Sequence, residues 1–196
     1  MGNPRITFDG ANLDFTQPAS PGWELRPFLR RSLDFTDGKK HAAQLLSIFY
    51  RGRLQVEKFT DADFERKILS WWSWASRGNE YAVALDSEDQ IDTTLDGSAA
   101  PAATVIPLTS TTGIVVGGRY RISEAAGHEM EEIEVQSISA GVSVTITVGL
   151  KYGYASGDLF RSRDYLPKAV NLDEEPPWKV ATATTWTFDH RFQEVS

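Results

Sequence analysis

The chain has no cysteine, only three histidines and two methionines in 196 residues. Without cysteine, disulfide scaffolds, thiolate metal sites and cysteine nucleophiles are excluded. Three histidines, with no nucleophile-elbow motif beside them, make a catalytic triad a poor expectation. No apolar run approaches the roughly 20 residues of a membrane-spanning helix, so no membrane insertion is expected. Positive charge is in deficit. Lys and Arg number 20 against 27 Asp and Glu, a net charge of −7. That balance argues against a broad electrostatic grip on nucleic acid or an anionic membrane, and no sequence-specific nucleic-acid recognition is expected. The opening Met1-Gly2-Asn3-Pro4-Arg5 lacks the apolar core of a signal peptide. Ile6 stands where a myristoylation motif needs Ser or Thr. Synthesis in the cytoplasm is the expectation.

With 41% hydrophobic and 24% charged residues, the composition is that of a folded globular protein. The length allows one large domain or two small ones. Near the N-terminus, Ile6 and Phe8, then Leu13 and Phe15, give two short apolar alternations before the breaker Gln17-Pro18-Ala19-Ser20-Pro21-Gly22. Two extended runs, Leu45–Tyr50 and Leu54–Phe59, flank Arg51-Gly52-Arg53 and predict a β-hairpin. A helix is predicted over about 61–77. Thr60 caps it, Asp61, Asp63 and Glu65 sit at its positive end and Arg77 at its negative end, and Gly78 stops it. Phe64, Ile68, Trp71 or Trp72, and Ala75 supply its buried stripe.

Tyr81, Val83 and Leu85 alternate as a returning strand, and the polar stretch from Asp86 to Gly97 leads into a different kind of sequence. Between residues 93 and 163 lie turn-rich strands carrying five Lys/Arg against seven Asp/Glu. Val142, Val144, Ile146, Val148 and Leu150 share one face there, opposite Ser143, Thr145 and Thr147, a period of two. Leu172-Asp173-Glu174-Glu175-Pro176-Pro177-Trp178 reads as a rigid acidic connection. The last strand alternates Trp186, Phe188, His190 and Phe192 against Thr185, Thr187, Asp189 and Arg191, and is expected to close the first sheet. The predicted fold is mainly β. A β-sandwich with one packed helix spans residues 1–92, completed by 165–196, and a small β-barrel module is inserted over 93–164.

Residues with chemical potential read mostly as structure. Glu129, Glu131, Glu132 and Glu134 stand near His128, but the segment is a strand and no zinc or calcium spacing is present; a solvated face with Ile133 and Val135 opposite is the better reading. Gly113, Gly117 and Gly118 precede a strand and match no phosphate-binding loop. His190, on an aromatic strand, is expected to be packed and hydrogen-bonded, and His41 has no partner in sequence. Trp71, Trp72 and Trp74 point in different directions from one helix. Two readings stay open: a helix buried on both sides, or a subunit interface anchored by Trp71 and Trp74 with Arg30, Arg31, Arg51 and Arg53 adding ion pairs. No catalytic residue, cofactor or metal is assigned.

The order from Leu45 through Leu85, the closing run Trp186–Glu194 and the Thr104–Gly113 stretch of the insert resemble the distal tail proteins of long-tailed bacteriophages. The resemblance implies a non-enzymatic virion subunit at the tail tip. It assembles with itself as a ring, most often a hexamer, and joins the tail tube protein to the hub and to receptor-binding or side-fibre proteins. The alternatives are a carbohydrate-binding β-sandwich module, or another virion joint such as a tail terminator or head–tail connector.

Overall fold

The computed structural model describes residues 3–15, 23–36, 39–59, 62–86, 88–125, 129–182 and 185–195. Strands β1 (Arg5–Phe8), β2 (Ala11–Asp14), β3 (Trp23–Thr36) and β4 (Lys39–Phe59) precede helix α1 (Ala62–Ala75) and strand β5 (Tyr81–Ala84). Short strands follow: β6 (Asp92–Thr94), β7 (Val105–Pro107), β8 (Arg119–Ser123), β9 (Met130–Ser139), β10 (Ser143–Ile146) and β11 (Leu159–Ser162). The chain closes with β12 (Tyr165–Asn171), β13 (Trp178–Thr182) and β14 (Thr185–Glu194). The fold is mainly β, as the alternating patterns predict, with one helix and two antiparallel sheets among the described residues. Two compact units emerge. One holds Met1–Phe28, Phe49–Gln90 and Asp164–Ser196; the other holds Leu29–Ile48 and Ile91–Arg163.

The larger sheet runs β2-β1-β5-β12-β14-β4-β3, with β13 paired to β14 off this path. Its first hairpin turns on Asp9 and Gly10, whose φ values of 45° and 72° give the left-handed pair of a type I′ turn. That turn sets Ile6 opposite Leu13, and both are fully buried. Helix α1 lays Ile68, Trp71 and Ala75 onto the sheet while Leu69, Ser70 and Ser73 face solvent, the 3.6-residue period expected of it. The helix ends on Gly78, at φ 79°, whose N–H bonds the Ala75 carbonyl at 3.0 Å. Trp71 is its wedge, with Phe188 at 5.6 Å and Tyr81 at 5.7 Å between ring centroids. Burying each such large side chain is worth about 1.5–3 kcal/mol.

In the second unit the smaller sheet runs β6-β11-β8-β9-β10-β7. A bridge between Leu95 and Leu108 joins the chain just past β6 to the chain just past β7, so the sheet curls until its edges meet. Inside are Leu95, Ile106, Leu108, Tyr120, Ile122, Val135, Val144, Ile146 and Phe160, each no more than 1% exposed. Meeting edges remove most of the unpaired backbone that an open sheet of this size would present. The entry and exit of the segment between β5 and β12 lie side by side: the Leu85 N–H donates to the Asp164 carbonyl at 3.0 Å, and Tyr165 pairs with Ala84.

Three expectations are corrected. Residues 45–59 do not form a hairpin; they belong to one 21-residue strand, β4, in which Gly52 pairs with Phe192. Gly52 takes no left-handed conformation, and a strand glycine marks close packing as readily as it marks a turn. The alternation from Val142 to Leu150 outlasts its strand: β10 covers only Ser143–Ile146, the register shifts at Thr145/Ile146, and Val142 and Val148 are 60% and 75% exposed. Trp178 is not part of a connection but opens β13. Thr60, Asp61 and the side chains of Asp63, Phe64 and Glu65, expected at the helix start, lie outside the described residues.

Because Gly10 sits at φ 72°, a Cβ there is strained although nothing crowds it within 4 Å. Gly10→Ala is expected to cost about 1 kcal/mol, read as a lowered urea midpoint with an unchanged slope.

Candidate functional site

Alternation along β14 sends Phe188, His190 and Phe192 to the helix-covered face, all at 0% exposure. On one side β14 is laddered to β4 from Arg51 to Phe59. On the other it is covered in two pieces: β12 pairs with Phe192–Glu194, and β13 with Thr185–Phe188. The connection from Leu172 to Pro177 spans the gap between them. The Leu172 N–H donates to the Arg191 carbonyl at 3.0 Å, and the Asp189 N–H donates to the Pro177 carbonyl at 2.7 Å. The remaining ladder donor, the Arg191 N–H, bonds Asp173 Oδ2 at 3.0 Å. A side-chain carboxylate thus takes the place of a strand carbonyl for this ladder donor.

The same carboxylate reaches the core. Asp173 Oδ2 lies 2.6 Å from His190 Nδ1, and His190 Nε2 lies 2.6 Å from the Tyr81 hydroxyl. The Arg191 guanidinium donates to Asp173 Oδ1 at 3.0 Å, and Asn171 holds the Asp173 backbone through an Asx turn. An ionised carboxylate only accepts, so Nδ1 carries the imidazole hydrogen, Nε2 accepts, and the Tyr81 hydroxyl donates. This assigns one direction along the whole chain, Tyr81 to His190 to Asp173.

The electrostatics agree with that assignment. Complete burial holds the His190 imidazole below its ordinary 6.5, against the pull of the Asp173 carboxylate. Burial pushes the Asp173 carboxyl up, but hydrogen bonds from His190 and Arg191 outweigh it and leave the group below its ordinary 3.8. Burial, then the charge of Asp173, raises the Tyr81 hydroxyl well above 10.0. Trp71 stands edge-on to the imidazole at 4.8 Å, and the Phe192 ring lies at 5.6 Å. Tyr–His–Asp order resembles a proton relay, yet Tyr81 is 3% exposed and the Asp173 side chain 7%. A relay sealed in this way holds elements together. It connects β5, β14 and the 172–177 connection under the α1 wedge.

Of the residues read from sequence as interface candidates, Trp71 lies at the centre of this core. Trp74 is half-buried and its indole N–H donates to the Glu80 carbonyl at 3.0 Å, folding it back on the turn after α1. Arg53 forks onto Asp189 at 2.6 and 2.5 Å and Arg51 donates to Gln193 at 3.1 Å, both across the β4–β14 ladder. Arg30 and Arg31 belong to β3, but their side chains lie outside the described residues, as do those of His41 and His128. In the second unit Ile133 and Val135 are buried and Glu132 is exposed, as the alternation predicts. Glu131 caps a turn instead, accepting the Lys151 N–H at 3.0 Å and the Tyr152 N–H at 3.2 Å. Gly113, Gly117 and Gly118 lie in the turns ahead of β8. Among the described residues no three His, Asp or Glu converge as metal ligands.

Sequence reasoning missed Asp173, which it left inside an acidic connection. The signal was there in Asn171-Leu172-Asp173, an Asx turn beside a strand whose histidine needs a partner. It also missed the pairing of Trp72 with Trp178, whose rings meet edge-on at 5.9 Å. No protein-family model and no curated protein sequence matches the chain.

Asp173→Ala removes the acceptor of His190, of the Arg191 N–H and of the Arg191 guanidinium at once. It is expected to cost about 3 kcal/mol in denaturant melts and to speed hydrogen exchange at the Arg191 amide. The pH dependence follows from the lowered imidazole. Its stabilising contribution is complete above the ordinary 6.5 and falls away as pH drops below that value, with a further loss below 3.8 from Asp173. Urea midpoints should therefore fall between pH 7 and pH 5 in the wild type and fall less in His190→Gln. A wild-type midpoint that stays level across that interval contradicts a neutral His190.

Proposed function

We propose that this chain is a structural virion protein of a long-tailed bacteriophage, a tail-tip subunit whose copies close into a ring. In that role it joins the tail tube to the hub and to peripheral receptor-binding proteins, and it catalyses no reaction. The observation that carries the reading is the β3/β4 ribbon. Strand β4 is 21 residues long, far beyond the usual five or six. Its ladder with β14 accounts only for Arg51 to Phe59, leaving Lys39–Tyr50 with β3 as its neighbour in the sheet order. At roughly 3.3 Å per residue that stretch runs about 40 Å.

The sheet order ends on β3, and the outer edge of a terminal strand is a template for a neighbouring chain. That is the geometry of lateral assembly rather than of a reaction centre. The sealed relay supports the same reading from the other side. The one relay-like group among the described residues, Tyr81–His190–Asp173, is spent on fixing the sheet, and a rigid sheet is what an assembling subunit requires. Net charge adds support, since a lumen that passes DNA should not grip phosphate, and −7 per chain is compatible with such a passage.

The test is size-exclusion chromatography with light scattering over a concentration series, with negative-stain imaging of each peak. Discrete closed rings of one stoichiometry are expected. A monomer at every concentration, with tryptophan fluorescence quenched by glycans, would replace this reading with the carbohydrate-binding one.

A further inference from the structure

Helix α1 and strand β13 leave an aromatic surface on the first unit. Trp72 and Trp178 meet edge-on at 5.9 Å and both are only half-buried. One helical turn before Trp72, Leu69 is 52% exposed, and Leu172, at the start of the connection into β13, is 39% exposed. Between Leu172 and Trp178 stand Glu174 and Glu175, both exposed, and among the described residues neither makes an ion pair. Among the described residues strand β13 pairs with β14 and with no other strand, which leaves its far edge open in the sheet. Half-buried tryptophans, with exposed charge that makes no ion pair close by in the chain, are the residue types of an interface core and its rim.

The complement lies on the same chain. Strand β3 is the last strand of the sheet order at the opposite end from β2, and its stretch Arg26-Pro27-Phe28-Leu29-Arg30-Arg31 carries three arginines, three apolar residues and no acid. Proline in that stretch fits an edge position. We infer that the Trp72–Trp178 surface receives the β3 segment of a second copy, with Glu174 and Glu175 opposite its arginines. This inference rests on the ring reading and names the contact that builds it. Two different surfaces meet, so the contact is heterologous, and a heterologous contact either closes into a ring or propagates as a filament.

The test uses two charge reversals on the full chain: Glu174→Arg with Glu175→Arg, and Arg30→Glu with Arg31→Glu. Circular dichroism and thermal melts establish that each variant folds. Light scattering then reads assembly of each alone and of the two mixed. Each alone should assemble on the order of tenfold or more weakly than the wild type, because like charges now face each other across the contact. The equimolar mixture should recover assembly, since each reversed surface then meets its complement on the other variant. Assembly of either variant at wild-type strength overturns the contact and leaves the ring reading intact. Two weakened variants that do not rescue each other overturn the pairing of these two surfaces. A wild type that stays monomeric at every concentration overturns the contact together with the ring.

Discussion

The larger sheet depends on one carboxylate. Where β14 loses its strand neighbour between β12 and β13, Asp173 takes the orphaned Arg191 N–H, and with its other contacts it orients His190. A water molecule could satisfy the backbone donor, but it could not also fix the imidazole tautomer that lets Tyr81 donate into Nε2. Local backbone geometry and buried polar order are therefore set by the same atoms. The packing of Trp71 follows, because the helix wedge rests edge-on against an imidazole whose orientation has been decided.

This arrangement explains how a fully buried histidine is tolerated. A buried polar group costs several kcal/mol when unpaired, and little when every donor and acceptor is matched. Both ring nitrogens of His190 have partners at 2.6 Å, and Asp173 is neutralised by Arg191 at the sheet surface. Charge is brought to the boundary of the core rather than into it. The aromatic residues around the network then exclude water from hydrogen bonds that water would weaken.

Much of this was legible from the sequence, and the reasons for the rest are physical. The period of β14 announces which side chains face inward, and the amphipathic stripe with a terminal glycine announces α1. The fate of Gly52 was not legible, because a glycine between two extended runs has the same local pattern in a turn and in a continuous strand; what decides is Phe192, some 140 positions away. Val142 and Val148 misled because alternation is a property of side-chain order, whereas strand length is set by the pairing ladder, whose register shifts at Thr145/Ile146 and whose last pair is Ile146 with Val135. Asp173 was hidden for a related reason. Its partners in β14 are distant enough that only the folded sheet brings them together, and a run of acids beside two prolines has the composition of a solvated loop. Asp9-Gly10, by contrast, was a readable hairpin signal left unread.

The adjacency of Leu85 and Asp164 has a consequence for how the chain reaches this fold. β5 and β12 are antiparallel neighbours separated by a segment as large as a small domain, and closing so long a loop carries an entropic penalty that slows folding. A barrel whose own ends emerge together removes most of that penalty in advance. In the folded chain the two exits lie at hairpin distance, and β5 and β12 pair there as the arms of a hairpin do. The same geometry is what permits a whole domain to be spliced into a hairpin without disturbing its host, so the inserted barrel is both the chain's largest interruption and its means of staying continuous.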